Sequence, residues 1–151
     1  MSLPHPILAI DHGEARIGIA ASDPLGIIAH PIETVPNNDN TLERINTIIE
    51  QKNIASIVIG LPLRMDGSEG TATIKIRKFV KLLKGNLVNK LPLEFVDERM
   101  TTIAAADKLR AAGKKAKQQK EIIDQAAAVE ILSNYMQSQS NPFGLLEEPL
   151  E

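Results

Sequence analysis

Cysteine and tryptophan are absent from the 151 residues, and the aromatic complement is one Tyr and three Phe. Without cysteine there is no disulfide framework, no thiolate metal site and no cysteine nucleophile, and the chain suits a reducing compartment. The shortage of aromatic rings argues against a platform on which nucleobases stack. No apolar run approaches the roughly 20 residues of a membrane-spanning helix, and no cationic leader precedes a long apolar stretch at the N-terminus. A soluble, cytoplasmic protein with no membrane partner is therefore expected. Neither sign of charge dominates: 17 basic side chains face 19 acidic ones, for a net charge of −2. That balance lacks the overall basicity typical of phosphate-binding domains. The charge is unevenly placed, however. Arg77, Lys78, Lys81 and Lys84 form one basic group, Lys114, Lys115, Lys117 and Lys120 a second, and Glu147, Glu148 and Glu151 an acidic end.

With 43% apolar and 24% charged residues the chain has the composition of a folded protein, and its length fits one domain. We expect that domain over residues 1–137, followed by a flexible acidic tail over 138–151. Three closely spaced strands are predicted at Ile7–Ile10, Arg16–Ala21 and Gly26–Val35, separated by the turn-prone Asp11-His12-Gly13 and Asp23-Pro24. Leu42, Ile45 and Ile49 recur at helical spacing, predicting a helix over 41–52, and Ser56–Ile59 reads as a strand buried on both faces. A loop from Gly60 to Gly70 leads to a second amphipathic helix, with Ala72, Ile76, Phe79 and Leu83 on one side and Arg77, Lys81 and Lys84 on another. Leu93–Val96 is a fifth strand. A helix capped by Thr101 or Thr102 runs to Ala112 and stops at Gly113, and a last one covers about Gln119–Gln137. Three meandering strands followed by strand-helix alternation predict an α/β fold. Its mixed five-stranded sheet has three antiparallel strands, then two parallel ones, and helices on both faces, the order used by the ribonuclease H-like fold.

Three acids stand out. Asp11 follows the apolar run Ile7–Ile10, at the carboxyl end of a strand where ligands of α/β sheets gather; an acid that merely opens a turn is the competing reading. Asp97 and Glu98 close another strand at the same edge. Alternation lets at most one of them join Asp11, and periodicity does not say which. Asp124 shares a helix face with Ala128, Ile131, Leu132 and Tyr135. A carboxylate on a buried apolar face must be paired, hydrogen-bonded or metal-bound; a first-turn acid favoured by the helix dipole, or a partner of Lys120, is the alternative. Such a set, with no cysteine and no histidine at ligand spacing, offers oxygen donors only, which suits Mg²⁺ or Mn²⁺ rather than Zn²⁺.

Four blocks, Ile10-Asp11-His12-Gly13 leading to Arg16-Ile17-Gly18-Ile19-Ala20, Ile59-Gly60-Leu61-Pro62-Leu63 with Met65-Asp66-Gly67-Ser68-Glu69, Asp97-Glu98-Arg99-Met100-Thr101-Thr102, and Asp124-Gln125-Ala126-Ala127-Ala128, stand in register. In this order they closely resemble the YqgF family over about residues 6–137. The resemblance implies a ribonuclease H-like fold related to the RuvC resolvases, and a catalytic, metal-holding site at Asp11, Glu98 and Asp124, with Glu98 favoured over Asp97. It also implies a role in maturing the 5′ end of small-subunit ribosomal RNA, or in resolving branched DNA junctions. The chain departs from the family pattern at Glu14, Ala15 and Arg64.

Supporting residues follow from position. Arg16 can grip a phosphate beside the acids or pair with Glu14; Arg99 can orient Glu98 or meet substrate; Arg64 can contact a phosphate. Lys114, Lys115 and Lys117 can track a nucleic-acid backbone or form a plain solvated run. His12 can move a proton near the acids or serve the turn. The expected activity is metal-dependent phosphodiester hydrolysis in structured RNA or branched DNA, by two metal ions about 4 Å apart. The alternative is a nucleic-acid-binding ribosome-assembly factor with little catalysis. An actin-like or sugar-kinase ATPase, which Asp11-x-Gly13 also suggests, needs a second lobe that the length does not provide. A junction resolvase would act as a symmetric dimer, but no dimer face is evident in the sequence.

Overall fold

Alternation along the strands decides which helices cover which face. The computed structural model describes residues 2–98 and 116–140, with side chains of the last helix from 122 to 139. Its elements are β1 (Ile7–His12), β2 (Arg16–Ser22), β3 (Ala29–Pro36), α1 (Thr41–Gln51), β4 (Ser56–Leu61), α2 (Thr71–Asn86), β5 (Leu93–Asp97) and α3 (Ala116–Ser140). The five strands form one sheet in the order β3-β2-β1-β4-β5. β1, β2 and β3 pair antiparallel, whereas β4 pairs parallel with β1 and β5 parallel with β4. The predicted mixed ribonuclease H-like sheet is thus the observed one.

Leu8, Ile10, Ile17, Ile19, Ile57 and Ile59 point to one face and pack with Ile45 and Ile48 of α1 and Ile76, Phe79, Val80 and Leu83 of α2. Their neighbours Ile7, Ala9, Ala20 and Val58 point to the other, against Ala128, Ile131, Leu132 and Tyr135 of α3. β1 and β4 lie at the centre of the sheet and are covered on both sides, which is why they read as continuous apolar runs. The small side chains on the α3 face let that helix approach closely. Its far end is tied by Tyr135, whose hydroxyl accepts a hydrogen bond from the Leu3 backbone N–H at 3.0 Å. No helix among the described residues is long and apolar enough to cross a membrane.

Boundaries differ from expectation at several points: β4 runs through Gly60 and Leu61, expected to open the loop, and the last helix continues to Ser140 rather than Gln137. β1 continues through Asp11 and His12, which pair with Gly18 and Ile17; the turn starts at Gly13, whose N–H donates to the Arg16 carbonyl at 2.9 Å. β3 begins at Ala29 rather than Gly26, because the Asp23 carboxylate accepts hydrogen bonds from the N–H groups of Leu25, Ile27 and Ile28. These bonds close a turn and hold the three apolar side chains exposed. α3 starts at Ala116, so Asp124 lies two turns inside the helix and is not a first-turn acid. The predicted helix from Thr101 or Thr102 to Ala112, and most of the 138–151 tail, lie outside the described residues.

Gly18 is the point of closest contact between α3 and the sheet: a Cβ there would overlap the backbone carbonyl of Asp124. Gly18→Ala is therefore expected to cost about 3 kcal/mol, the upper range for overpacking. Thermal melting should then fall by roughly 6–12 °C in a domain of this size. A shift of less than about 2 °C would show that α3 can retreat without loss.

Candidate functional site

The carboxyl ends of β1, β4 and β5 lie side by side, and the same alternation that sorts the core sorts the acids. Asp11 follows Ile7 and Ala9 onto the α3 face. Glu98, just past β5, donates its backbone N–H to the Leu61 carbonyl at 3.1 Å, and alternation from Val96 turns its side chain to that face too. Asp97, on the opposite phase, is exposed. The Glu98 side chain crosses over Gly60, where a Cβ would stand 2.6 Å from its Cγ and Cδ and 2.5 Å from Cδ1 of Ile131. A side chain at residue 60 would exclude Glu98 from this position. Asp124 arrives from α3 directly above Gly18, the residue paired with Asp11 across β1 and β2.

Three carboxylates distant in sequence thus converge at one edge of the sheet. The Asp11 carboxyl is held well above the usual carboxylate range. Burial is the main cause, followed by repulsion from Glu98, a hydrogen bond shared with Glu98, and repulsion from Asp124. Burial and the neighbouring Glu98 thus disfavour ionisation of Asp11, a cost that a cation between the two would relieve.

Asp124 is neutralised differently. Arg16 Nε donates to its Oδ2 at 2.8 Å, with the two side chains 36% and 19% exposed. The sequence left Arg16 with a choice between a phosphate and Glu14; Glu14 pairs instead with Lys75 at 2.9 Å. Lys120 as partner of Asp124 falls among side chains outside the described set. With Asp124 turned to Arg16, no group of three acids or histidines among the described residues stands close enough to hold one metal ion.

His12 lies on the other face of the sheet. Its ring centroid is 4.7 Å from that of Phe79, and Asn37 Nδ2 lies 3.4 Å from its Nε2. Burial lowers its pKa, so the ring is neutral near pH 7. It serves packing and the turn, and is not adjacent to the acids. Arg64 sits in the β4–α2 loop, its Nε 3.2 Å from the position a Cβ on Gly70 would take. Arg99, Lys114 and Lys115 lie outside the described residues. Lys117 lies within α3, but its side chain is not among those described. Gly18 and Gly60 were missed as site residues. The signal for both was a glycine inside a β-branched run, which marks close approach of another group. Asn37 was missed as well: its Nδ2 donates to the Gly13 carbonyl at 2.8 Å and its N–H to that of Ala15 at 3.0 Å, bracing the turn after Asp11.

A raised Asp11 pKa means that the folded state binds this proton more tightly than the unfolded chain. The associated stability is complete below the ordinary carboxylate pKa and is lost as pH rises through the elevated value. In chelator, the melting temperature of Asp11→Asn should therefore exceed that of wild type increasingly from pH 5 to pH 8. Parallel curves for the two proteins would rule out the raised Asp11 pKa.

Against this geometry, known proteins give a consistent match. A sequence model of the RuvX family, described as Holliday junction resolvase, matches residues 5–138. A Streptomyces avermitilis protein named "Putative pre-16S rRNA nuclease" is 43% identical over 134 residues, covering 87% of this chain and 85% of its own. A Sulfurihydrogenibium protein of the same name is 42% identical over 130 residues, covering 86% and 88%. Among solved structures, the fowlpox virus resolvase, in complex with Holliday junction DNA, superposes with a TM-score of 0.58 at 13% identity, covering 89% of this chain and 98% of its own. Thermus thermophilus RuvC, in complex with a Holliday junction substrate, does so with 0.53 at 12% identity, covering 88% and 95%. The resolvase likeness fixes the fold, and the sequence matches fix the lineage: the chain belongs to the RuvX family.

Proposed function

We propose that this protein is a metal-dependent nuclease that hydrolyses phosphodiester bonds in structured nucleic acid, acting in the cytoplasm on the 5′ end of pre-16S ribosomal RNA. The observation that carries the reading is the convergence of Asp11, Glu98 and Asp124, from three separate elements, at one strand-end edge, with Asp11 buried beside Glu98. The names of the relatives supply the substrate. The domain we assign to this activity is 1–137, with the last helix running on to Ser140.

The donor set fits a hard divalent cation. It is all carboxylate oxygen, and the Asp11–Glu98 pair calls for positive charge. Asp11, Glu98 and Asp124 would hold Mg²⁺ or Mn²⁺, in competition with Arg16 for Asp124. When bound, two such ions activate a water and stabilise the leaving oxygen. The rest falls to the chain. Glycine at 18 and 60 lets α3 and Glu98 close on the site. Arg16, half-exposed beside Asp124, is placed to bind a substrate phosphate. Ile131, against Gly60, keeps the floor of the site apolar.

A junction-resolving DNA activity is the second reading, favoured by the description of the matching family. Both are tested by incubating the protein with a precursor small-subunit ribosomal RNA fragment and with a four-way DNA junction, each with Mg²⁺, Mn²⁺ or chelator. Metal-dependent cleavage of the RNA is expected, with loss of about 100-fold or more in Asp11→Asn, Glu98→Gln and Asp124→Asn, since loss of an outer-shell partner alone costs 10–100-fold. Cleavage of the junction alone would transfer the activity to DNA. Binding without cleavage in every condition would leave an assembly factor. Arg16→Ala should tighten Mn²⁺ binding about three- to fivefold by calorimetry, the worth of a partly exposed ion pair, while weakening cleavage. Unchanged Mn²⁺ affinity would show that Arg16 does not compete.

A further inference from the structure

Helix α2 carries five of the chain's 17 basic side chains, Lys75, Arg77, Lys78, Lys81 and Lys84, and none of its 19 acidic ones. All five are exposed. Helical spacing sets Arg77, Lys81 and Lys84 in one line with Lys78 beside it, while Ile76, Phe79, Val80 and Leu83 fill the core on the other side. Like charges at these spacings repel and weaken a helix, and only Lys84, in the last turn, is favoured by the helix dipole. Glu14 compensates Lys75 and Glu69 compensates Arg77. Lys78, Lys81 and Lys84 form no ion pair with described residues. The helix sustains a repulsion that acids at these solvent-facing positions would relieve, and a polyanion would relieve it equally.

Two contacts fix this line relative to the carboxylates. Lys75 meets Glu14, three residues after Asp11. The Arg77 guanidinium carbon lies 5.0 Å from the ring centroid of Phe95 in β5, three residues before Glu98. α2 returns the chain from the end of β4 to the start of β5 on the face of the sheet opposite the carboxylates, so the line starts at the strand-end edge they share and runs away from it along the β5 border. Arg77 to Lys84 spans about 10 Å of helix axis at ~1.5 Å per residue. That matches about three nucleotide steps at ~3.4 Å each along one strand of a duplex. Phe95 already has Arg77 over its face, and such a ring is a poor platform for an unpaired base.

The geometry points to α2 as a track for the phosphate backbone of a double-stranded arm of the substrate, leading away from the cleavage edge; this rests on the nuclease reading above. The test measures binding of a labelled RNA hairpin, a DNA duplex of equal length and a single-stranded RNA by fluorescence anisotropy in chelator, between 50 and 200 mM salt. Wild type is compared with the triple variant Lys78→Gln, Lys81→Gln, Lys84→Gln, whose helix content circular dichroism verifies. On both duplexes the variant is expected to flatten the slope of log affinity against log salt by about 2–3, at roughly 0.9 per lost contact, and to bind about tenfold more weakly at 50 mM. An unchanged slope overturns the proposal; equal flattening on the single strand overturns the duplex assignment. Steep, α2-dependent duplex binding by a wild-type protein that never cleaves with Mg²⁺ or Mn²⁺ would remove the nuclease reading and leave the track standing.

Discussion

Packing of α3 onto the sheet is the contact on which the site depends, and it is possible because residue 18 has no side chain. The backbone of Asp124 occupies the volume a β-carbon at residue 18 would need. Interiors pack at near-crystalline density, so such a contact leaves little freedom to slide. It sets the height of the third carboxylate above β2, and through the Asp11–Gly18 pairing it sets that carboxylate's distance from Asp11. The second glycine, at residue 60, does the same for Glu98. Two absent β-carbons thus determine where three side chains meet.

The charge at this edge follows from that packing. Acids brought together in partial burial need compensation for their charge. Burial and the neighbouring Glu98 raise the Asp11 pKa, and Asp124 takes the guanidinium of Arg16. The exposure of Arg16 makes its bond to Asp124 a weak one, which suits a side chain with two alternative anionic partners.

Much of this was legible in the sequence, because period-2 and period-3.6 patterns report burial directly. The five strands, the two amphipathic helices and the apolar face of α3 were recoverable from Ile, Val and Leu spacing alone. Boundaries were less so where side chains bonded to backbone: Asp23 gathers three N–H groups and removes Gly26–Ile28 from a strand whose composition reads as extended. The identities of the three acids were visible, but their partners were not. Arg16 and Glu14 are neighbours in sequence, yet the hairpin sends one toward α3 and the other toward α2. Likewise His12 and Asp11 are adjacent, and the pleat puts them on opposite faces. Sequence proximity favours the wrong pairing in both cases, because a strand separates what the chain joins.

The order of elements along the chain has a consequence for biosynthesis. Asp11 belongs to the first strand, Glu98 follows the fifth, and Asp124 lies in the last helix. Among the described residues, the core under α1 and α2 draws on residues before α3, whereas the opposite core includes Ala128, Ile131, Leu132 and Tyr135. Chains emerge from the ribosome N-terminal end first, at about 5–20 residues per second. A nascent chain can therefore build one side of its sheet while the acidic edge still lacks its third member. The three carboxylates are brought together by the same docking step that seals the second core, so a copy that stops short of α3 leaves Asp11 and Glu98 without Asp124.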